Sequence, residues 1–147
     1  EIYTLSLHDA LPISISGASI VANAIEPDFA IIIDACHARM SEVDKENTFG
    51  MNDGIVVAVG PNLHRNFTKK IMGLTSVQVD VEPDDTGTEC SIIQVSNCGV
   101  ATALVSIPVK YMHTTIEMVH FEDIKNVARL IDDVLALKEE EVEAWLC

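Results

Sequence analysis

Two residues with metal-binding chemistry, Asp34 and His113, each follow a predicted β-strand. Asp34 comes directly after the apolar run 29–33, and His113 follows the run 100–107 after a spacer that begins with Pro108. In open α/β sheets, functional sites form beyond the carboxyl ends of the strands. A carboxylate and an imidazole together suit Zn²⁺ or Co²⁺. The positions predict a divalent-metal site at one sheet edge, although by position alone each residue could be an ordinary loop residue, and Asp34 could form a turn.

The elements that must position these two residues are strands alternating with helices. Short apolar runs predict buried strands, a period-two pattern predicts a strand with one wetter face, and helical spacing or composition predicts the helices. The predicted strands are 29–33, 54–59, 77–81 and 100–107, and the predicted helices are 16–25, 62–74, 89–98 and a long one after Glu122. This order predicts the α/β class with a largely parallel sheet.

The composition argues against several classes of partner. The chain has 147 residues, and its 9 basic and 23 acidic residues give a net charge of −14. Such a charge repels phosphate backbones and anionic lipid, so neither nucleic acid nor a membrane is an expected partner. The four cysteines form no Cys-x-x-Cys pair, which is typical of reduced thiols in a cytoplasmic protein. The sequence has no apolar run of the roughly 20 residues that span a bilayer, and no secretory signal is expected.

Three motifs occur in an order that resembles a known family. They are Pro27-Asp28-x-Ala30-Ile31-x-x-Asp34, then Gly87-Thr88-Glu89, then Pro108-x-x-Tyr111-Met112-His113-Thr114-x-x-Glu117. The chain, from Ser16 to about Leu137, resembles the glutamyl and deblocking aminopeptidases of clan MH, which include the tetrahedral aminopeptidases and members labelled endoglucanase. The resemblance implies a zinc-peptidase-like three-layer sandwich, of which this chain forms the C-terminal part. It also implies two divalent ions (zinc or cobalt), peptide substrates and a homo-oligomer.

The resemblance also implies roles for individual residues. Asp34 matches the carboxylate that binds one ion of the metal pair, and His113 matches the imidazole that binds the other. Thr88 and Glu89 match a Gly-Thr-Asp turn that lines the site near the substrate, with Glu89 in place of the usual Asp. Glu117 matches an acid on the histidine loop. We interpret this acid as a residue that supports the metal-binding histidine without itself binding the ion. For Glu117, a plain surface acid is the alternative.

Other parts of the family's metal site have no counterpart in this sequence. In the family, a histidine, a bridging aspartate and a Glu-Glu pair that supplies the general base precede the segment matching Gly17-Ala18. Residues 11–16 contain no carboxylate. We therefore expect no catalytic residue in this chain and no hydrolysis by it alone. Residues 1–14 resemble a translated sequencing adapter, so the expected domain organisation is a non-native segment 1–14 and a catalytic-domain part 15–147.

Two other function classes stay open. One is a non-catalytic scaffold that packs against partner subunits, and the other is a different clan MH hydrolase, such as a carboxypeptidase or an acylase. The residues next to the histidine in the Tyr111-Met112-His113 loop argue against a carboxypeptidase or an acylase. Cys36 and His37 do not form a predicted nucleophile–base pair, because neighbours on an extended segment point to opposite sides.

Overall fold

A computed structural model describes residues 16–41, 43, 45–138 and 140. The interpretation of residues 1–14 as non-native lies outside this range. The elements are α1 (Ser16–Ile25), β1 (Phe29–His37), β2 (Ile55–Val59), α2 (Arg65–Met72), β3 (Val77–Val81), α3 (Cys90–Ile93), β4 (Ala101–Lys110), β5 (Met118–Val119) and α4 (Phe121–Leu135), with a 3-10 turn at Lys45–Asn47. None of the helices in the described part of the chain combines the length and apolarity that crossing a bilayer requires.

The sheet has the strand order β1-β4-β2-β3, and β5 pairs with β4. β1 and β4 are parallel, with a register that runs from Phe29 beside Ala101 to His37 beside Val109. β2 and β3 are also parallel. The antiparallel contacts of β4 with β2 and with β5 are shorter, at two residue pairs each. The predicted α/β class with a mostly parallel sheet is confirmed.

Helices cover both faces of this sheet. Successive strand residues point to opposite sides, so the apolar strands present hydrophobic side chains on each face. One face packs against α2 and α4, with a core that includes Ile31, Val57, Phe67, Val105 and Leu130. The other face packs against α1 and α3, with a core that includes Ala22, Ile32, Ala58, Cys90 and Leu104. These layers of helix, sheet and helix form the three-layer sandwich that the resemblance implies.

Two strands extend further than the sequence predicted. β1 runs through Asp34 to His37, and β4 runs through Pro108 to Lys110, so the predicted ends at Ile33 and Ile107 were wrong. Each strand supplies the other with backbone hydrogen-bonding partners along its length. This pairing continues past Asp34 and Pro108, the residues that indicated strand ends in the sequence. Proline is tolerated because the β2 pairing ends at Ser106 and the β5 pairing begins at Val109. Pro108 therefore lies where no ladder donor is required.

Two helices are shorter than predicted. Helix 62–74 begins only at Arg65, where His64 Nδ1 accepts a hydrogen bond from Phe67 N at 3.3 Å and caps the helix. Helix 89–98 is reduced to Cys90–Ile93. Gly99 has φ +101°, a backbone conformation that favours glycine. The chain then enters β4.

Candidate metal and substrate site

The parallel pair β1–β4 brings Asp34 and His113 to the same half of the sheet. Asp34 lies beside Ser106, three residues before the end of β1 at His37. His113 lies three residues beyond the end of β4 at Lys110, in the turn that leads to β5. Because the strands are parallel and adjacent, their carboxyl ends share one edge. Both candidate ligands therefore belong to this edge, with Asp34 on the strand itself.

The Asp34 carboxylate is positioned to bind a metal ion. The side chain is half-buried, and its Oδ1 accepts a hydrogen bond from Ala35 N at 2.7 Å. Among the residues that the structure describes, no other donor contacts this carboxylate. By alternation along β1, Asp34 lies on the sheet face that carries Ile32 and Cys36, which is the face covered by α1 and α3. A half-buried carboxylate with one uncommitted oxygen fits a metal ligand.

The Thr88-Glu89 turn lies near Asp34. The pKa of the Cys90 thiol is raised to about 12, chiefly by burial and also by the charges of Glu89 and Asp34, while a hydrogen bond from Thr88 lowers it. Since both carboxylates act on the same thiol, Asp34 and the Thr88-Glu89 turn are within electrostatic range of one group. Cys90, the residue after Glu89, also packs in the same core cluster as Ile32, which lies two residues before Asp34 on the same face of β1, so the two predicted site segments lie on one side of the sheet.

Hydrogen bonds fix the backbone of this turn and leave the Glu89 side chain uncommitted. Thr88 Oγ1 shares a hydrogen bond of 2.9 Å with Thr86 Oγ1 and accepts one from Cys90 N at 3.3 Å. Ser91 Oγ donates to the Thr88 carbonyl at 3.0 Å. Glu89 occupies the N-cap position of α3, but its side chain makes no capping hydrogen bond. Within the described part of the chain, its carboxylate has no other partner and is available to a ligand.

His113 is exposed and has a left-handed backbone, with φ +64°. Its backbone N–H donates to Glu117 Oε1 at 2.7 Å. Glu117 therefore contacts the histidine segment, as its place in the motif suggested, but it binds the main chain and not the imidazole. No hydrogen bond to the imidazole comes from any described residue, so both ring nitrogens are available.

Sequence reasoning missed two further acids, Asp80 and Asp123, that lie within electrostatic range of Cys36 on β1. Asp80, Asp34 and Asp123 all act on Cys36, and together with burial, the largest cause, they raise the pKa of this thiol to about 12. Burial also raises the pKa of Asp80. The alternation of β3, which places Asp80 on the face of Gln78, was the available signal.

Asp123 has a second role that its sequence position did not indicate. As an acid in the first turn of α4, Asp123 suits the positive end of the helix dipole. The side chain is in fact buried, and its two carboxylate oxygens accept from Asn52 N at 2.9 and 3.0 Å. Gln78 holds the same loop from β3, through bonds to Gly50 and Gly54. These two side chains fix the loop between β1 and β2.

A cleft of about 520 Å³ lies at the opposite edge of the sheet. Asp28, His64, Cys98 and Thr102 are among its lining residues. Asp28 and Thr102 lie at the amino ends of β1 and β4, so this cleft is separate from the edge that carries His113. The chemistry implied by the motifs is therefore not located in this cleft.

The buried thiols give a prediction that depends on pH. Alkylation requires the thiolate, and Cys36 and Cys90 are buried with a pKa of about 12 each. We expect iodoacetamide at pH 8 to modify the exposed Cys98 and to leave Cys36 and Cys90 unmodified, as measured by peptide mass spectrometry. Unfolding in urea at the same pH should make Cys36 and Cys90 react.

The same shifts set the direction of a stability change. Below the ordinary thiol pKa of 9.0 both thiols are neutral in the folded and unfolded chains, so burial carries no penalty. Between pH 9 and 12 only the unfolded chain loses these protons, so the free energy of unfolding should fall as pH rises. Rapid modification of folded Cys36 at pH 8 would contradict this account.

The donor set fits part of a divalent-metal site. Asp34 offers a hard oxygen and His113 a borderline nitrogen, which is the mixture that zinc and cobalt accept. In the described part of the chain, no group of three or more His, Cys, Asp and Glu side chains is arranged to hold a metal ion. A zinc site takes about four ligands, so Asp34 and His113 can supply only some of them.

Residues 13–130 match the family described as M42 glutamyl aminopeptidase. The chain is also 31% identical over 128 residues to a lysyl aminopeptidase of Pyrococcus furiosus, a match that covers 84% of this chain and 37% of that protein.

Solved structures with a similar fold include two peptidases. The TET aminopeptidase of the marine sediment archaeon Thaumarchaeota archaeon SCGC AB-539-E09 has a TM-score of 0.79 at 18% identity, and the match covers 90% of this chain and 40% of that one. For the TET1 peptidase of Pyrococcus horikoshii, which can assemble into a tetrahedron or a large octahedral shell, the TM-score is 0.62 at 21% identity, with 83% and 37% covered. The chain thus spans about two fifths of the length of these relatives.

Proposed function

Since the chain belongs to the M42 glutamyl aminopeptidase family, we propose that it forms part of the catalytic domain of a metal-dependent aminopeptidase, which removes N-terminal residues from peptides. The observation that carries this proposal is the parallel pair β1–β4, which places Asp34 and the His113 turn at one sheet edge. The proposal covers residues 15–147 as a C-terminal part of that domain.

In this proposal Asp34 and His113 each hold one of two divalent ions, zinc or cobalt. Both side chains have donor atoms that no described residue occupies. Such ions supply Lewis-acid polarisation of the scissile carbonyl and of the attacking water. The further ligands and the general base are proposed to come from outside the 147-residue chain, which is therefore proposed to be inactive alone.

Glu89 and Thr88 are proposed to contact the substrate. The carboxylate of Glu89 has no partner in the described part of the chain and lies in range of the same thiol as Asp34. A free carboxylate at this place suits the cationic α-amino group of a peptide, because the two opposite charges attract most strongly where water is partly excluded. Thr88 holds the turn through its own hydroxyl. Glu117 is proposed to support His113 from outside the ligand shell.

The intact protein is further proposed to be a cytoplasmic homo-oligomer. The free thiols of Cys36, Cys90 and Cys98 support a reducing compartment. Large exposed apolar side chains, among them Ile116 and Phe121, support contact with another protein surface. The same exposed side chains favour the alternative, a non-catalytic scaffold of this fold, which the following experiment separates from the peptidase.

The test combines zinc calorimetry with hydrolysis of leucyl, lysyl and glutamyl p-nitroanilides by the 147-residue chain. We expect zinc to bind, Asp34→Asn to weaken binding, and no p-nitroaniline to be released. The control is Asp132→Asn, because Asp132 is an exposed acid on α4 and should leave zinc binding unchanged. Equal binding by the wild type and Asp34→Asn would favour the scaffold. Tight binding of two ions with hydrolysis would refute the inactivity of the isolated chain.

A further inference from the structure

The turn between β4 and β5 contains two non-glycine residues with left-handed backbone. Tyr111 has φ +59° and His113 has φ +64°. Side chains disfavour this conformation because Cβ approaches the neighbouring carbonyl oxygen. It persists only where surrounding contacts hold the backbone in place. The contacts that hold this turn therefore determine the orientation of His113.

Thr114 provides one set of these contacts. Its backbone N–H donates to the Tyr111 carbonyl at 3.1 Å. Its hydroxyl lies 2.6 Å from the same carbonyl oxygen and 2.8 Å from that of Ile116. A hydroxyl has one proton, so the two carbonyls share a single donor. Thr114 thus joins the residues before and after His113 through one side chain.

Glu117 provides the other contact, and it acts directly on the histidine. Its Oε1 accepts a hydrogen bond from His113 N at 2.7 Å, a short distance for an N–H···O hydrogen bond. Packing does little to hold this turn, because Tyr111, Thr114 and Ile116 are exposed and Ile116 keeps 77% of its surface in solvent. Side-chain to backbone hydrogen bonds are therefore the main restraint.

We propose that Thr114 and Glu117 are positioning residues for the His113 imidazole: together they hold His113 in the left-handed backbone that aims its ring at the metal edge. This inference rests on the proposed function, in which His113 binds a metal ion. A ligand must be held within about 0.5 Å and 10–20° of its productive geometry. Release of either restraint lets φ of His113 return to negative values, and the Cα–Cβ direction changes with it.

The test uses the 147-residue chain with four variants and two readouts. The readouts are the exchange rate of the His113 amide hydrogen, measured by NMR without metal, and zinc affinity, measured by calorimetry. Glu117→Ala should speed exchange at least about 10-fold and weaken zinc binding by about 10-fold or more. Glu117→Gln keeps an acceptor oxygen and should retain most of both properties. Thr114→Val should weaken zinc binding, and Thr114→Ser should restore it.

The matched control is Thr115→Val. Thr115 is exposed, and none of the described residues hydrogen-bonds its hydroxyl. This variant should change neither exchange nor affinity. Far-UV circular dichroism should be unchanged in all five variants, because the turn is at the surface and outside both cores.

Outcomes with His113→Ala separate this inference from the proposed function. Loss of zinc binding in His113→Ala, with unchanged affinity in Glu117→Ala and Thr114→Val, would overturn the positioning role while the ligand role stands. Faster exchange in Glu117→Ala without a change in affinity would also overturn it, since the contact would then be structural only. Unchanged zinc binding in His113→Ala would overturn the proposed ligand, and with it this inference.

Discussion

Replacing His113 by alanine is expected to weaken zinc binding to the chain by at least about 100-fold. Loss of the groups that merely orient a metal ligand typically costs about 10–100-fold in affinity, so loss of the ligand itself should cost more. No group of three or more His, Cys, Asp and Glu side chains in the described part of the chain is arranged to hold an ion, so no second site of that kind should mask the loss. Calorimetry measures the loss of affinity directly.

His120→Ala is the matched control for this prediction. His120 is another exposed histidine seven residues further on, and its Nδ1 accepts from Glu122 N at 3.3 Å to cap α4. Removal of the cap should lower stability by about 1 kcal/mol and leave zinc affinity unchanged. If His120→Ala weakens zinc binding as much as His113→Ala does, binding is not specific to the candidate edge.

The largest expected effect on stability is that of Phe67→Ala. Phe67 is fully buried in the core between the sheet and helices α2 and α4, and its ring meets that of Phe29 edge-on with centroids 5.2 Å apart. Truncation of a buried phenylalanine leaves a cavity and costs about 3–5 kcal/mol. Because whole domains are stable by only about 5–15 kcal/mol, this single change should bring the chain close to unfolding. Urea denaturation followed by circular dichroism measures the loss.

Phe121→Ala is the corresponding control. Phe121 is 66% exposed at the start of α4, where Lys125 Nζ lies 4.7 Å from its ring centroid. Loss of this exposed cation–π contact should cost about 1 kcal/mol or less. Equal losses in Phe67→Ala and Phe121→Ala would mean that the core between the sheet, α2 and α4 does not carry the stability of the fold.

Elements with a strong period were predictable from sequence, and strand ends were not. The bounds of β3 and α1 agree with their predicted ranges, because alternation and helical composition are local properties. The ends of β1 and β4 depend on each other, since paired strands continue as long as both supply hydrogen-bonding partners. A single residue such as Asp34 or Pro108 therefore does not indicate where a strand ends, because its end depends on a partner strand about 70 residues away in the sequence.

The candidate site was predictable in its residue types and not in its local geometry. Asp34 and His113 could be singled out because their donor chemistry and strand-end positions are visible in sequence. The left-handed backbone of His113 depends on hydrogen bonds made by Thr114 and Glu117. A glycine would have indicated a left-handed backbone in the sequence, but position 113 is a histidine. The contact of Asp123 with Asn52 spans 71 residues, so no local pattern could reveal it.

We propose above that Asp34 and His113 serve one metal centre at one edge of the sheet. Titration of the isotopically labelled chain with Mn²⁺ tests it, because the paramagnetic ion broadens amide signals near its binding site. We expect the signals of Ala35 and Thr114 to broaden together, while that of Thr102 at the opposite edge stays sharp. Broadening of only one of the first two, or of Thr102 in their place, would contradict it.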